Sequence, residues 1–241
     1  MCVDDLKMAG PKDAVAACWK DLRSGKDALE MADPIPVDRF LGCKHVVSTL
    51  PNGSRKMTYD MSDFMKSCVD RCLELAPTAK LKQVDTPFVD EASFPDSDFT
   101  TPGQLAGCAS AILMKVLWGA RMVRWDLLKA VCYLARRVSK WTHACDRLLL
   151  RLMCYINSTL GYTLSGVVGD TIDDWHLKLF ADADLAGDKS DHKSTSGLFH
   201  CISSPKTRFP LTAKSSKQSC VSTSTPEAEG VSASEAMRTC G

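Results

Sequence analysis

Signals for export, membrane insertion and a disulfide or zinc framework are all missing from this 241-residue chain. The opening residues, MCVDDLKMAG, hold two carboxylates and no apolar run, so a secretory leader is not expected. No stretch approaches the ~20 apolar residues that cross a bilayer, and no membrane partner is expected. Cysteines number twelve, yet none forms a CxxC pair. Cys68 and Cys72 stand four apart with no matching Cys or His pair downstream, so structural zinc is not expected. Free, mostly buried thiols in a reducing intracellular compartment are the expectation, cytoplasmic or nuclear. Formal net charge is only +1, so overall charge names no partner; local clustering has to do that. Internal repeats and low-complexity tracts are also lacking.

What is present is an ordinary globular composition, 45% hydrophobic and 24% charged. Apolar spacing predicts an amphipathic helix over Pro11–Met31, broken by Pro34 and Pro36. Phe40–Thr49 is short, apolar and β-branched, and reads as a strand. Asn52-Gly53 is a type I′ hairpin signal, because both residues tolerate positive φ, and Ser54–Met61 is the returning strand. A helix follows over Asp63–Leu75 and stops before Pro77. Residues 77–103, rich in Pro, Asp, Ser and Thr, read as a linker or long excursion.

From Gln104 to Leu160 the pattern predicts successive helices. Leu105, Cys108, Ile112, Val116 and Ala120 form one face; Leu127, Leu128, Val131, Leu134 and Ala135 a second; Leu148, Leu149, Leu152, Ile156 and Leu160 a third. Residues 121–151 hold eight Lys or Arg against Asp126 and Asp146. Solvated faces on packed helices account for such a run; contact with a phosphate backbone through Arg121, Arg124, Arg136, Arg137, Arg147 and Arg151 is the alternative. Beyond Gly161, strands are expected at Leu177–Asp182, Ser196–Ile202 and Arg208–Ala213. A final helix is expected with Thr225 as its cap and Pro226 at its first position.

Two constellations could carry chemistry. Val3-Asp4-Asp5 places adjacent carboxylates at a turn, where a divalent cation can be held, although such pairs are commonly just solvated. The second lies within the acidic run from Asp170 to Asp191. An EF-hand starting at Asp182 would have Gly187 at its sixth position, as required, but Ala186 at the fifth and Lys193 at the twelfth, which excludes it. What remains is Asp182 ending a strand and Glu229 early in a later helix, which is how a two-metal nuclease site begins. Equally, Asp182 could terminate a strand and Glu229 could complement a helix N-terminus.

The strings FADADLAGDKSDHKSTSG and SKQSCVSTSTPEAEG resemble the ribonuclease H region of copia-type retrotransposon Pol polyproteins. That family reads Ser-Asp-Ala-Asp-Trp-Ala-Gly-Asp, then Lys-Ser-Thr-Ser-Gly, then Ser-Ser-Thr-Glu-Ala-Glu-Tyr. GARMVRWDLLKAVCYLAR is similar to its helical connection, Phe40-Leu41-Gly42 to its Phe-Leu-Gly element, and MCVDDLKMAG to its Tyr-Val-Asp-Asp polymerase motif. The resemblance covers nearly the whole chain. It departs at Cys2 (aromatic in the family), Trp125 (Pro), Leu185 (Trp) and Gly230 (Tyr).

The resemblance implies an α/β (α+β) fold: the rear of a reverse-transcriptase palm over 1–76, a linker over 77–103, a helical connection over 104–160, and the start of a ribonuclease H-like mixed sheet over 161–241. It implies Asp4 and Asp5 as polymerase-type cation ligands and Asp182 and Glu229 as nuclease-type ones, with Mg²⁺ or Mn²⁺ as cofactor. The partners implied are template RNA, an RNA–DNA hybrid and the remainder of the Pol polyprotein. Each site has about half of the family's ligands, so neither activity is expected of the chain by itself, and low solubility is expected from unpaired strand edges. A non-catalytic nucleic-acid-binding remnant and a gene-model product without a cellular role are the alternatives.

Overall fold

The computed structural model describes residues 6–188 and 190–240. Helix α1 (Lys12–Leu22) is followed by β1 (Arg39–Phe40), β2 (Cys43–Thr49), β3 (Arg55–Asp60) and α2 (Ser62–Leu75). The short α3 (Ser97–Thr100) leads to α4 (Ala106–Met122), α5 (Leu128–Ala135) and α6 (His143–Ser158). Then come β4 (Leu164–Val168), β5 (His176–Ala183), β6 (Thr195–Ser204), β7 (Thr207–Lys217) and α7 (Thr225–Cys240).

The three expected helices after Gln104 form and supply the core. Ile112, Leu113 and Val116 of α4, Leu134 of α5, and Leu148, Leu149 and Leu152 of α6 pack on Met65, Cys68, Val69 and Cys72 of α2. Asp60, at the end of β3, accepts the Ser62 N–H at 2.8 Å and hydroxyl at 2.6 Å where α2 begins. Residues 77–103 are no open tether. Leu81, Val84, Phe88 and Phe94 pack against the helical core, and Asp98 meets Arg147 of α6 at 2.6 Å.

The seven strands among the described residues join one sheet in the order β1-β2-β3-β4-β7-β6-β5. Every pair within it is antiparallel, which corrects the expected mixed sheet. The bridging strand β4, which sequence reading passed over, pairs along its length with β3 and through Val167 with Arg208 of β7.

Four local expectations change. The first helix ends at Leu22, not Met31, because the chain turns through Ser24 and Gly25, whose φ is +92°; none of its residues is buried. Phe40–Thr49 is two strands joined at Leu41-Gly42, where φ values of 50° and 82° make the type I′ turn. Trp118 donates its indole N–H to the Leu41 carbonyl at 3.3 Å and holds that turn. At 52–53 only Gly53 has positive φ. The link there is a wider loop, with the Leu50 N–H donating to the Ser54 carbonyl and the Gly53 N–H to the Leu50 carbonyl. The final helix is capped at Ser224, whose hydroxyl accepts the Glu227 N–H at 3.4 Å, one residue ahead of the expected Thr225.

Candidate functional site

Strand β5 carries Asp182 and Asp184. Directly paired residues of antiparallel strands share a face, so the register assigns sides. Asp182 pairs with Gly197 and Phe180 with Phe199; Gly197 in turn pairs with Ser215 and Phe199 with Ala213. This face looks toward α5. Trp125 meets Phe199 edge-on at 5.9 Å, and Lys129 reaches Asp184 at 3.4 Å. Between them lies a cleft of about 420 Å³ lined by Trp125, Lys129, Phe180, Asp182 and Phe199. Asp182 is exposed there, whereas Asp184 also accepts the Thr195 N–H at 2.6 Å. Any side chain at Gly187 would collide with the Asp184 carboxylate.

The opposite face bears Ala181, Leu198, Ser196, Lys214 and Ser216. Helix α7 covers that side. Its Glu235 accepts from Lys214 at 2.7 Å and Ser216 at 2.8 Å. Burial opposes the charge on Glu235, but these bonds prevail and hold its carboxyl below the usual range. Ser232 donates to the Asp182 backbone carbonyl at 2.8 Å, so α7 touches the main chain behind that residue. Glu229 is half-buried on α7.

The sheet therefore lies between the helix that carries Glu229 and the face onto which Asp182 projects. Among the described residues no three His, Cys, Asp or Glu side chains gather into a cation-holding group. A two-cation centre needs further carboxylates beside a strand-borne Asp and a helix-borne Glu. Asp4 and Asp5 lie outside the described residues.

The candidate basic surface is partly consumed inside the fold. Arg124 is buried, donates to Asp126 at 2.8 Å and to the Thr159 carbonyl at 3.0 Å, and faces the Tyr155 and Tyr162 rings. Arg137 bridges Glu91 and Asp188 over the Tyr133 ring. Arg147 pairs with Asp98 and lies over the Phe94 ring, and Arg151 donates to the Thr86 hydroxyl. Arg121 and Arg136 remain exposed. Three of the six guanidiniums are thus neutralised by carboxylates within the chain, reducing the positive field that a phosphate backbone would meet.

Nothing local in the sequence sets Asp188 apart from its acidic neighbours, yet it is central. Its side chain is buried and accepts from Arg137 of the helical region at 2.8 Å, Lys217 at the end of β7 at 2.8 Å, and the Ser190 hydroxyl at 2.6 Å. Burial opposes its charge, yet the Lys217 and Ser190 bonds and the Arg137 charge hold its carboxyl far below the ordinary range. Its partners stand 51 and 29 residues away along the chain, beyond the reach of any local pattern.

Neither a family model nor a solved structure matches this chain. The retrovirus-related Pol polyprotein from transposon TNT 1-94 of Nicotiana tabacum is 27% identical over 239 residues. The similarity supports a retrotransposon Pol polyprotein. The alignment covers 97% of this chain and 17% of that Pol polyprotein, so the chain spans a small part of its relative's length. No helix among the described residues is long and apolar enough to cross a membrane.

Proposed function

We propose that this chain is a segment of a copia-type retrotransposon Pol polyprotein, drawn from its reverse transcriptase–ribonuclease H region. The observation that carries the reading is similarity along 97% of the chain, with FADADLAGD and STPEAEG within it. The order β5–β6–β7–α7, with Asp182 on the first strand and Glu229 on the helix, is what a ribonuclease H-like start would provide. The activities of the family are RNA-directed DNA synthesis and hydrolysis of the RNA strand of an RNA–DNA hybrid. Template RNA, the hybrid and the rest of the polyprotein are its partners, and Mg²⁺ or Mn²⁺ its cofactor. A bound cation would activate water and stabilise the charge on the leaving oxygen.

With Asp182 and Glu229 making up about half of such a ligand set, the chain alone is expected neither to extend a primer nor to cut a hybrid. The polyprotein containing it is expected to cut the RNA strand, and Asp182→Asn to remove cutting by at least ~100-fold while DNA synthesis persists. A gel assay on a labelled hybrid with Mg²⁺ or Mn²⁺ reads both. Full cutting by the Asp182→Asn polyprotein would overturn the assignment.

A further inference from the structure

We propose that a cavity between segment 91–99, the turn after α5 and the end of β7 binds a nucleotide unit, its phosphate on Arg136 and Lys140 and its base against Phe99. The inference does not rest on the polyprotein reading. The cavity holds about 810 Å³, within the usual range for a small-molecule site, and shares no lining residue with the cleft at Asp182. Packed elements of this chain build its walls, and no strand edge takes part.

The charges of the lining decide the ligand. Arg137 is taken by Glu91 and Asp188, and Lys217 by Asp188 and Asp191. Arg136 and Lys140 line the same space and have no ion-pair partner among the described residues. Arg136 is exposed overall, yet burial and then the Arg137 charge pull its guanidinium below the ordinary arginine range. A cation crowded by a second cation gains most from an incoming anion. Asp96 is the lining carboxylate without an ion pair among the described residues, so two unpaired cations stand against one unpaired carboxylate. That surplus selects an anion, and phosphate matches guanidinium and ammonium donors. Phe94 and Phe99, edge-on at 6.5 Å, give the same cavity an aromatic wall. Arg147 lies over the Phe94 ring, which leaves Phe99 as the stacking surface. Inorganic phosphate would leave this wall unused, whereas a base on it adds affinity whatever the base. A free nucleotide and one residue of a single strand carry the same chemistry.

Isothermal titration of the full chain with ADP, pyrophosphate, adenosine and a single-stranded DNA octamer tests this. ADP should bind roughly tenfold more tightly than pyrophosphate or adenosine, and less tightly as salt is added. Arg136→Ala should weaken ADP binding by roughly tenfold and Lys140→Ala by about threefold, whereas Asp96→Asn should tighten it by about threefold. Misfolding cannot produce the gain in Asp96→Asn, and circular dichroism checks the folding of the two weakened variants. Octamer binding that falls with Arg136→Ala, as ADP binding does, would assign a strand as the source of the nucleotide. Octamer binding indifferent to that change would assign a free nucleotide. Absence of ADP binding, pyrophosphate equal to ADP, or ADP binding indifferent to all three variants would overturn the proposal.

Discussion

The helical region and the β5–β7–α7 region are stabilised by opposite kinds of interior. Around α2 and α4–α6 the buried side chains are almost all apolar, from Met65 through Leu152 to Ile156. Around β5–β7 and α7 the buried apolar side chains among the described residues are few: Leu198, Cys201, Ala228 and Ala236. Polar groups take their place, among them Asp188, Ser194, Ser196, Gln218, Ser222 and Ser232. Apolar packing is non-directional and tolerates repacking. A polar interior depends on bond geometry and, where charged, on pH. The two halves of the molecule should therefore fail in different ways.

The largest effect is expected from emptying the apolar half. Leu152→Ala removes a fully buried side chain at the centre of α6 and should cost about 4 kcal/mol in urea unfolding, irrespective of pH. A loss below ~1 kcal/mol would show that this core is looser than its packing implies.

Asp188→Asn comes next, at about 3 kcal/mol at pH 7, because it leaves Arg137 and Lys217 short of a buried counter-charge. The sign of the pH dependence follows from the depressed carboxyl. The unfolded side chain titrates near ~3.9, so the Asp188 contribution is fully present above that value and is lost as pH falls below ~4 toward the folded one. Urea unfolding at pH 7 and pH 3 should show a wild-type drop that Asp188→Asn reduces. An equal drop in both proteins would assign acid sensitivity elsewhere.

The smallest change is Gln218→Ala. Its amide donates to the Ser196 hydroxyl at 3.0 Å and the Ala228 carbonyl at 2.9 Å, fastening α7 to the sheet. About 1–2 kcal/mol should be lost. Faster amide exchange confined to α7 and β6 would mark the polar half as a separate cooperative unit. Uniform acceleration throughout the chain would join the halves into one.

Legibility in the sequence divides along the same line. Helices α4, α5 and α6 announced themselves because one apolar face repeats every 3.6 residues, and burial of that face is what stabilises them. Strands β5, β6 and β7 were legible from alternation, though each runs longer in the structure. Leu164–Val168 was not: Gly166 interrupts a short run whose strand identity comes from β3, about a hundred residues earlier. The turn type at Asn52-Gly53 was misjudged because Leu50 and Ser54 extend the loop, and Leu41 was passed over because leucine seldom adopts positive φ. In the candidate site, the local strings around Asp182 and Glu229 were visible. The face onto which Asp182 projects depends on strand register, which no single segment encodes.

Strand β4 has one further consequence. It shares five paired positions with β3 but only Val167–Arg208 with β7. Across that seam Asp170 acts as a clasp, accepting from the Ser204 hydroxyl at 2.5 Å, the Lys206 N–H at 2.7 Å and the Thr207 hydroxyl at 2.9 Å. The sheet is thus continuous in outline yet nearly divided at one line. A recombination breakpoint just after Val168 would sever few ladder bonds and leave two nearly intact half-sheets. One at Gly161 would strip β3 of its neighbour. Exchange between related sequences should be tolerated best where the hydrogen-bond ladder is thinnest, just past β4 and well downstream of the end of α6 at Ser158.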